Sequence, residues 1–305
     1  MISGQKQFAA NDRVLLGRTG IEVSRLALGS GTDGVGKRSR QTQMGMKAFT
    51  SLILHSYERG ITFWDVADQY GSHPFFKNAL NQIPREKVVI LTKSVTGRDH
   101  AGMRRDIDRF RKELNTDYLD ILLLHGVTGA RWDVKLQKTM EILSKAKEEG
   151  AIRAHGISCH SLGALQRAAN SPWTDVIMVR INHAGSQMDS SPHEVVPILW
   201  KAHEAGKGIV GMKILGCGLL SSQIDRALRF ILSLDCIDAF TIGFESESEL
   251  DDLLKRIEQT TVASASDQPD GTFWSGRLGA GLARRKGRGG PKPPLPPPLP
   301  LKGEN

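Results

Sequence analysis

Residues 119–158 read LDILLLHGVTGARWDVKLQKTMEILSKAKEEGAIRAHGIS, and the fold turns on this stretch. Residues 119–125 form an apolar run that hardly alternates; as a strand it is covered on both faces, the mark of a parallel sheet. Residues 135–149 are amphipathic at helical spacing. Gly150 follows, where a helix ends in a left-handed residue that glycine adopts without a Cβ penalty. A second apolar run opens at Ile152, completing one strand–helix–strand unit. The unit recurs on both sides. Apolar runs begin near Ser24, Ile61, Val88, Leu119, Ile152, Val176, Gly208 and Ala239, at a mean spacing of about 31 residues. Amphipathic stretches over 47–59, 102–114 and 195–205 lie between them. Residues 191–194 and 246–249 read as capping boxes, the first with Pro192 at N1. Eight such runs in about 240 residues predict a closed (β/α)8 barrel over residues 1–261 rather than an open doubly wound sheet.

The rest of the 305 residues is compositionally different. Residues 262–305 hold eight of the thirteen prolines, eight glycines, and seven Lys/Arg against three Asp/Glu. Such a segment lacks the apolar content to offset its ordering entropy and is expected to be a disordered or polyproline II tail. Its P-x-x-P pattern is the type of ligand an SH3-like groove takes, and an inert extension is the plainer reading. The tail also carries half of the formal charge of +8, so the body is only mildly basic and gives no ground for a nucleic-acid partner. No apolar run approaches the roughly 20 residues of a membrane span, and residues 1–10 contain no signal-type apolar core. Cys159, Cys217 and Cys236 form neither a disulfide framework nor a C-x-x-C pair, which predicts a reducing, cytoplasmic setting.

Gly29-Ser30-Gly31-Thr32-Asp33-Gly34 matches G-x-G-x-x-G after a strand, but no helix opens at once and no acidic residue stands about 20 positions on. The match is set aside as glycine chance in a loop. His155, Cys159 and His160 lie on one strand, but alternation sends His160 to the opposite face from the other two, so no metal set forms. The chemistry is expected elsewhere. Barrel enzymes place their working residues at the C-terminal ends of strands, and there stand Asp65 and Tyr70, Lys93, and His125. One polar residue closing a buried strand is usually a satisfied rim group. Four titratable residues on three consecutive strands at one rim make a coherent set. An ammonium stabilises phenolate and lowers the phenol pKa, a carboxylate holds the ammonium, and the tuned phenol can protonate a carbonyl oxygen.

Here the chain resembles the aldo-keto reductases, over about residues 12–260. Residues 16–24 (LGRTGIEVS) are similar to the family's opening hairpin across the barrel floor. Residues 64–71 (WDVADQYG) are similar to its D-x-A-x-x-Y-G segment, and Leu91-Thr92-Lys93 and Leu122-Leu123-Leu124-His125 supply the rest. The resemblance implies Tyr70 as general acid/base, Lys93 as its pKa partner, Asp65 as the anchor of Lys93, and His125 as a group orienting the carbonyl. It implies an NAD(P)H-dependent enzyme acting on a small aldehyde, ketone, alcohol or sugar. A barrel that binds the dinucleotide as a sensor, without turnover, is the alternative.

The implied cofactor contacts are Ser158, Cys159 where Asn is usual, Arg180 where Gln is usual, and Asn182. On the seventh run they are Met212, Lys213, Leu215 and Gly216; on the last, Gly243 and Glu249. Family members that use the 2′-phosphorylated cofactor often carry Lys and Arg in that last unit. Here residues 243–250 read GFESESEL, with three glutamates and no cation before Lys255. Carboxylates repel a phosphate and accept from a ribose hydroxyl, a lean to NADH; complementing a helix dipole is their plainer use. The family's C-terminal covering segment is replaced by the Gly/Pro-rich tail.

Overall fold

The structure, a computed structural model, describes residues 5–95 and 100–263. Every apolar run becomes a barrel strand: β1 (Leu26–Gly29), β2 (Phe63–Asp65), β3 (Val89–Val95), β4 (Leu119–Val127), β5 (Ile152–Cys159), β6 (Val176–Arg180), β7 (Gly208–Met212) and β8 (Ala239–Gly243). Neighbours are parallel, and β8 closes on β1 through the Gly243–Gly29 register. The principal helices are α1 (Met46–Glu58), α2 (His73–Leu80), α3 (His100–Leu114), α4 (Gln137–Glu148), α5 (Leu162–Asn170), α6 (Pro192–Glu204), α7 (Ile224–Leu232) and α8 (Glu247–Gln259). This is the (β/α)8 architecture that the spacing predicts. No helix among the described residues is long and apolar enough to cross a membrane.

Strand alternation divides the core in two. Phe63, Leu91, Ile121, Leu123, Ala154, Met178 and Val210 form one buried cluster inside the barrel. Trp64, Ile90, Leu122, Leu124, Ile157, Ile177 and Ile209 form the other, between strands and helices. Arg13–Leu15 and Glu22–Ser24 pair as an antiparallel hairpin, and Leu16, Ile21 and Val23 join the inner cluster. The hairpin thus seals the floor with apolar side chains, as expected.

Two local readings differ. Ser191 Oγ accepts no N–H from α6; it donates to the Glu194 carboxylate at 3.0 Å, so this box does not close. At α8, Ser246 Oγ does accept the Glu249 N–H at 3.2 Å, but the Glu249 carboxylate reaches past Ser246 to the Glu245 N–H at 2.8 Å. In addition, Thr261–Ala263 pairs antiparallel with Gln5–Gln7. The expected disordered tail and its SH3-type ligand, from residue 264 onward, lie outside the described residues.

Candidate active site

The inner parity of the strands builds the site. Two residues beyond Phe63 comes Asp65, two beyond Leu91 comes Lys93, and two beyond Leu123 comes His125. All three therefore sit one layer above the apolar core, at the C-terminal mouth. Lys93 is fully buried. Its ammonium forms an ion pair with Asp65 Oδ1 and donates to the Val66 carbonyl at 3.1 Å. Tyr70 arrives on a single 3₁₀ turn, Asp68–Tyr70, that follows β2. Lys93 Nζ lies 4.9 Å from the centroid of its ring, and Tyr70 Oη lies 3.4 Å from His125 Nε2. The four residues named from sequence are thus brought together.

What holds the Tyr70 ring was missed. Gly31 and Gly34 press against it so closely that a Cβ at either position would overlap ring atoms. The glycine-rich loop set aside as chance is therefore a cradle for the phenol. A hint lay in the sequence, since two glycines in a polar loop after β1 mark a place where something approaches the backbone closely. The partner lies in the next βα unit, on the turn after β2, and was not legible. Gly31→Ala is expected to displace the ring and lower turnover on the order of 10²-fold, the scale of a roughly 1 Å misplacement. Steady-state kinetics of the purified variant checks this; native kcat would exclude the cradle role.

The electrostatics keep the phenol protonated and the histidines beside it neutral. Burial raises the Tyr70 phenol above its ordinary pKa; Lys93 pulls it down but does not outweigh burial. The expected lowering by Lys93 is present, and the net direction is upward. Burial pulls the Lys93 ammonium down, but Asp65 and Tyr70 more than compensate, so it stays charged. Burial and then the nearby Lys93 charge bring His125 down to about 3, so it is neutral. Its Nδ1 is buried without a hydrogen-bond partner.

A further site residue, His160, follows from the parity that carries Ala154 and Ser158 inward. Its Nδ1 receives Arg180 Nη2 at 2.5 Å, its Nε2 stands 3.4 Å from Ser158 Oγ, and its ring lies edge-on to His125. Burial and then the Arg180 charge lower it to about 4. Arg180 also bonds Asp189 at 3.1 Å, and its buried Nε has no partner.

The other residues named for the cofactor divide. Met212 closes the inner cluster and Ser158 is buried beside His160. Lys213 and Gly216 lie in the turn after β7, where the Gly216 N–H bonds the Lys213 carbonyl at 2.9 Å, and Leu215 packs toward the outer core. Cys159 has the outward parity: it sits in the outer cluster, and burial raises its thiol well above the usual range. Asn182 is consumed internally. Its Nδ2 donates to the Ser186 and Lys213 carbonyls at 2.7 and 3.0 Å, and its Oδ1 accepts two backbone N–H groups. Gly243 abuts Thr32 and Gln41, and the Glu249 carboxylate is engaged by the Glu245 N–H. The last unit is not bare of cations either. Arg40, from the segment after β1, bonds Asp33 at 2.8 Å and Glu245 at 3.3 Å, while Glu247 accepts from Ser51 on α1.

Known proteins resemble this chain in sequence and in fold. The sequence profile of the Aldo/keto reductase family matches residues 27–257, and the chain belongs to that family. The Glycine max protein named "Probable aldo-keto reductase 1" is 32% identical over 225 residues, which are 69% of this chain and 61% of that protein. L-galactose dehydrogenase of Arabidopsis thaliana is 28% identical over 222 residues, 68% of this chain and 66% of that enzyme. The chain thus spans about three fifths to two thirds of the length of these relatives. The holo form of an aldo-keto reductase from Bacillus halodurans superposes with a TM-score of 0.65 at 21% identity, covering 82% of this chain and 91% of that one, a likeness of fold.

Proposed function

We propose that this protein is an NAD(P)H-dependent reductase of small aldehydes, ketones or sugars, and that Tyr70 is its general acid/base. The observation that carries the reading is the Tyr70 phenol placed between the Lys93–Asp65 ion pair and a neutral His125 at the barrel mouth. The phenol gives its proton to the carbonyl oxygen in reduction and takes it back in oxidation. Lys93 stabilises the phenolate formed, and Asp65 holds Lys93 charged and in place. His125, neutral at physiological pH, hydrogen-bonds the carbonyl without competing as an acid. The names of the plant relatives support a carbonyl or sugar substrate. Family membership and the absence of a disulfide pattern support a cytoplasmic setting.

The residues at the mouth suit a nicotinamide dinucleotide. Arg180 Nε is a buried donor without a partner, Lys213 has no ion pair among the described residues, and Met212 offers a polarisable apolar surface. Ser158, Arg180, Met212, Lys213 and Gly216 are assigned to holding it; Cys159 and Asn182 are not, the first facing outward and the second fully engaged. Bound NAD(P)H supplies the hydride. The test is to mix the protein with reduced dinucleotide and a panel of aldehydes, ketones and sugars, and to follow loss of reduced-nicotinamide absorbance. Tight dinucleotide binding with no turnover of any of them would replace this reading with that of a sensor.

For cofactor choice, the lean to NADH now rests on a trio rather than on three bare glutamates. Arg40 is matched by two carboxylates, Asp33 and Glu245, so the patch stays net negative. NADH is expected to bind more tightly than NADPH. Glu245→Gln, which leaves Arg40 matched by Asp33 alone, is expected to move the Kd ratio roughly two- to fivefold toward NADPH, the scale of one exposed charge pair. Fluorescence titration of both cofactors reads it. A native preference for NADPH, or an unmoved ratio, would remove the assignment.

A further inference from the structure

Asp68 fills an unspecified position of the motif that marks the site, and three segments converge on it. It is nearly fully buried and opens the single turn that ends in Tyr70. Its Oδ1 receives the Lys37 ammonium and, at 2.7 Å, Arg109 Nη1 from α3. Lys37 ends the loop that carries Gly31 and Gly34, and its backbone N–H bonds the Gln69 carbonyl at 2.9 Å. One carboxylate therefore ties the ring's cradle to the turn that delivers the ring. Burial pushes Asp68 up, but the hydrogen bonds from Arg109 and Lys37 outweigh it and hold the carboxyl at about 2, so it is ionised.

Arg109 carries the connection onward to the strand that bears Lys93. Its Nη1 also meets Glu113 Oε1 at 2.7 Å, and its Nη2 meets Asp106 Oδ1 at 2.8 Å. The second oxygens of both carboxylates lead to β3, that of Asp106 directly and that of Glu113 through His73. Asp106 Oδ2 accepts from Ser94 Oγ at 2.7 Å. Glu113 Oε2 takes His73 Nδ1 at 2.7 Å, which leaves His73 Nε2 to accept from Thr92 Oγ1 at 2.8 Å. Thr92 and Ser94 flank Lys93, and alternation turns both away from the barrel interior while Lys93 points into it. The guanidinium is thus a planar fork shared by three carboxylates, a task that its fixed donor geometry suits and a point charge does not. Its two sides end on the two residues whose separation matters to the chemistry: Tyr70, through its turn, and Lys93, through its neighbours.

We propose that Asp68 and Arg109 form a clamp behind the active site that sets the position of Tyr70 against Lys93, so that both are positioning residues for the proton transfer. Neither touches the reacting groups. The clamp rests on the reductase reading above for its effect on turnover, though not for its effect on structure. A loose clamp lets the Tyr70 turn and its cradle drift from Lys93, and misplacement on the order of 1 Å costs about 10²-fold in rate.

The test compares Asp68→Asn, Arg109→Lys and Arg109→Gln with the native protein. Expected are a fall in kcat of roughly 10- to 100-fold for Asp68→Asn and Arg109→Gln, with KM and dinucleotide Kd within about twofold of native, and partial recovery of kcat in Arg109→Lys. Amide hydrogen exchange reads the clamp independently of turnover. Residues 31–38 and 67–71 are expected to exchange faster in Asp68→Asn while the barrel strands exchange as in the native protein. Native kcat together with native exchange in these two segments overturns the clamp. Should the native protein reduce no carbonyl at all, the reductase reading falls, and exchange alone decides the clamp. A variant that unfolds is replaced by Lys37→Met, which removes one arm at an exposed side chain and is expected to speed exchange in residues 31–38; native rates there overturn the clamp.

Discussion

Tyr70→Phe is expected to lower carbonyl reduction by about 10²–10⁴-fold while leaving dinucleotide affinity within about twofold of native. The substitution deletes one hydroxyl. The ring keeps its seat between Gly31 and Gly34 and its approach to Lys93, so little binding surface changes. Steady-state kinetics and fluorescence titration of the same preparation separate the two effects; a variant that keeps most of its kcat removes Tyr70 from the acid's role. The pH profile of the native protein adds a second check, with its sign set by the site. Reduction needs the phenol protonated, and the Tyr70 pKa is raised, so the rate should hold through neutral pH and fall only on the alkaline side. His125 and His160, lowered to about 3 and about 4, are already neutral at pH 5 and should contribute no limb between pH 5 and 8. A limb near the ordinary histidine value would contradict this assignment.

Lys93→Met is expected to abolish turnover and to destabilise the fold by about 3–5 kcal/mol, the cost of leaving a buried charge without its partner. Asp65 is the charge left behind. It is nearly fully buried, and Lys93 is its only ion-pair partner among the described residues. Denaturant melts of native and variant measure the loss, and a native midpoint would mean that Asp65 finds water or another donor. The double variant Asp65→Asn/Lys93→Met discriminates further. With the carboxylate gone there is no unpaired charge to bury, and much of the stability should return. Activity should not, because nothing then stabilises the phenolate. Recovery of one without the other would separate the structural from the chemical contribution of the pair.

The amino-acid sequence determined, by itself, whatever depends on consecutive residues. Eight apolar runs specify eight strands, and counting by twos from Phe63, Leu91 and Leu123 reaches Asp65, Lys93 and His125 on the inner face. The same count places Cys159 outside and His160 inside; that alternation decided the metal question in the sequence and, carried on to the cofactor contacts, would have excluded Cys159 and added His160. What only the tertiary structure decided are meetings across the barrel. Glu245 faces Arg40 from 205 residues away, which altered the basis of the cofactor argument. Gly31 and Gly34 lie against Tyr70, and Asp68 lies between Lys37 and Arg109. The physical reason is common to all three. Periodicity and turn chemistry are local properties of the chain, whereas these contacts exist only after the strands have closed and brought loops from different βα units to one rim. Glycine and charge show in a sequence that a close approach or a pair will form there; the identity of the partner is written in the closure of the barrel.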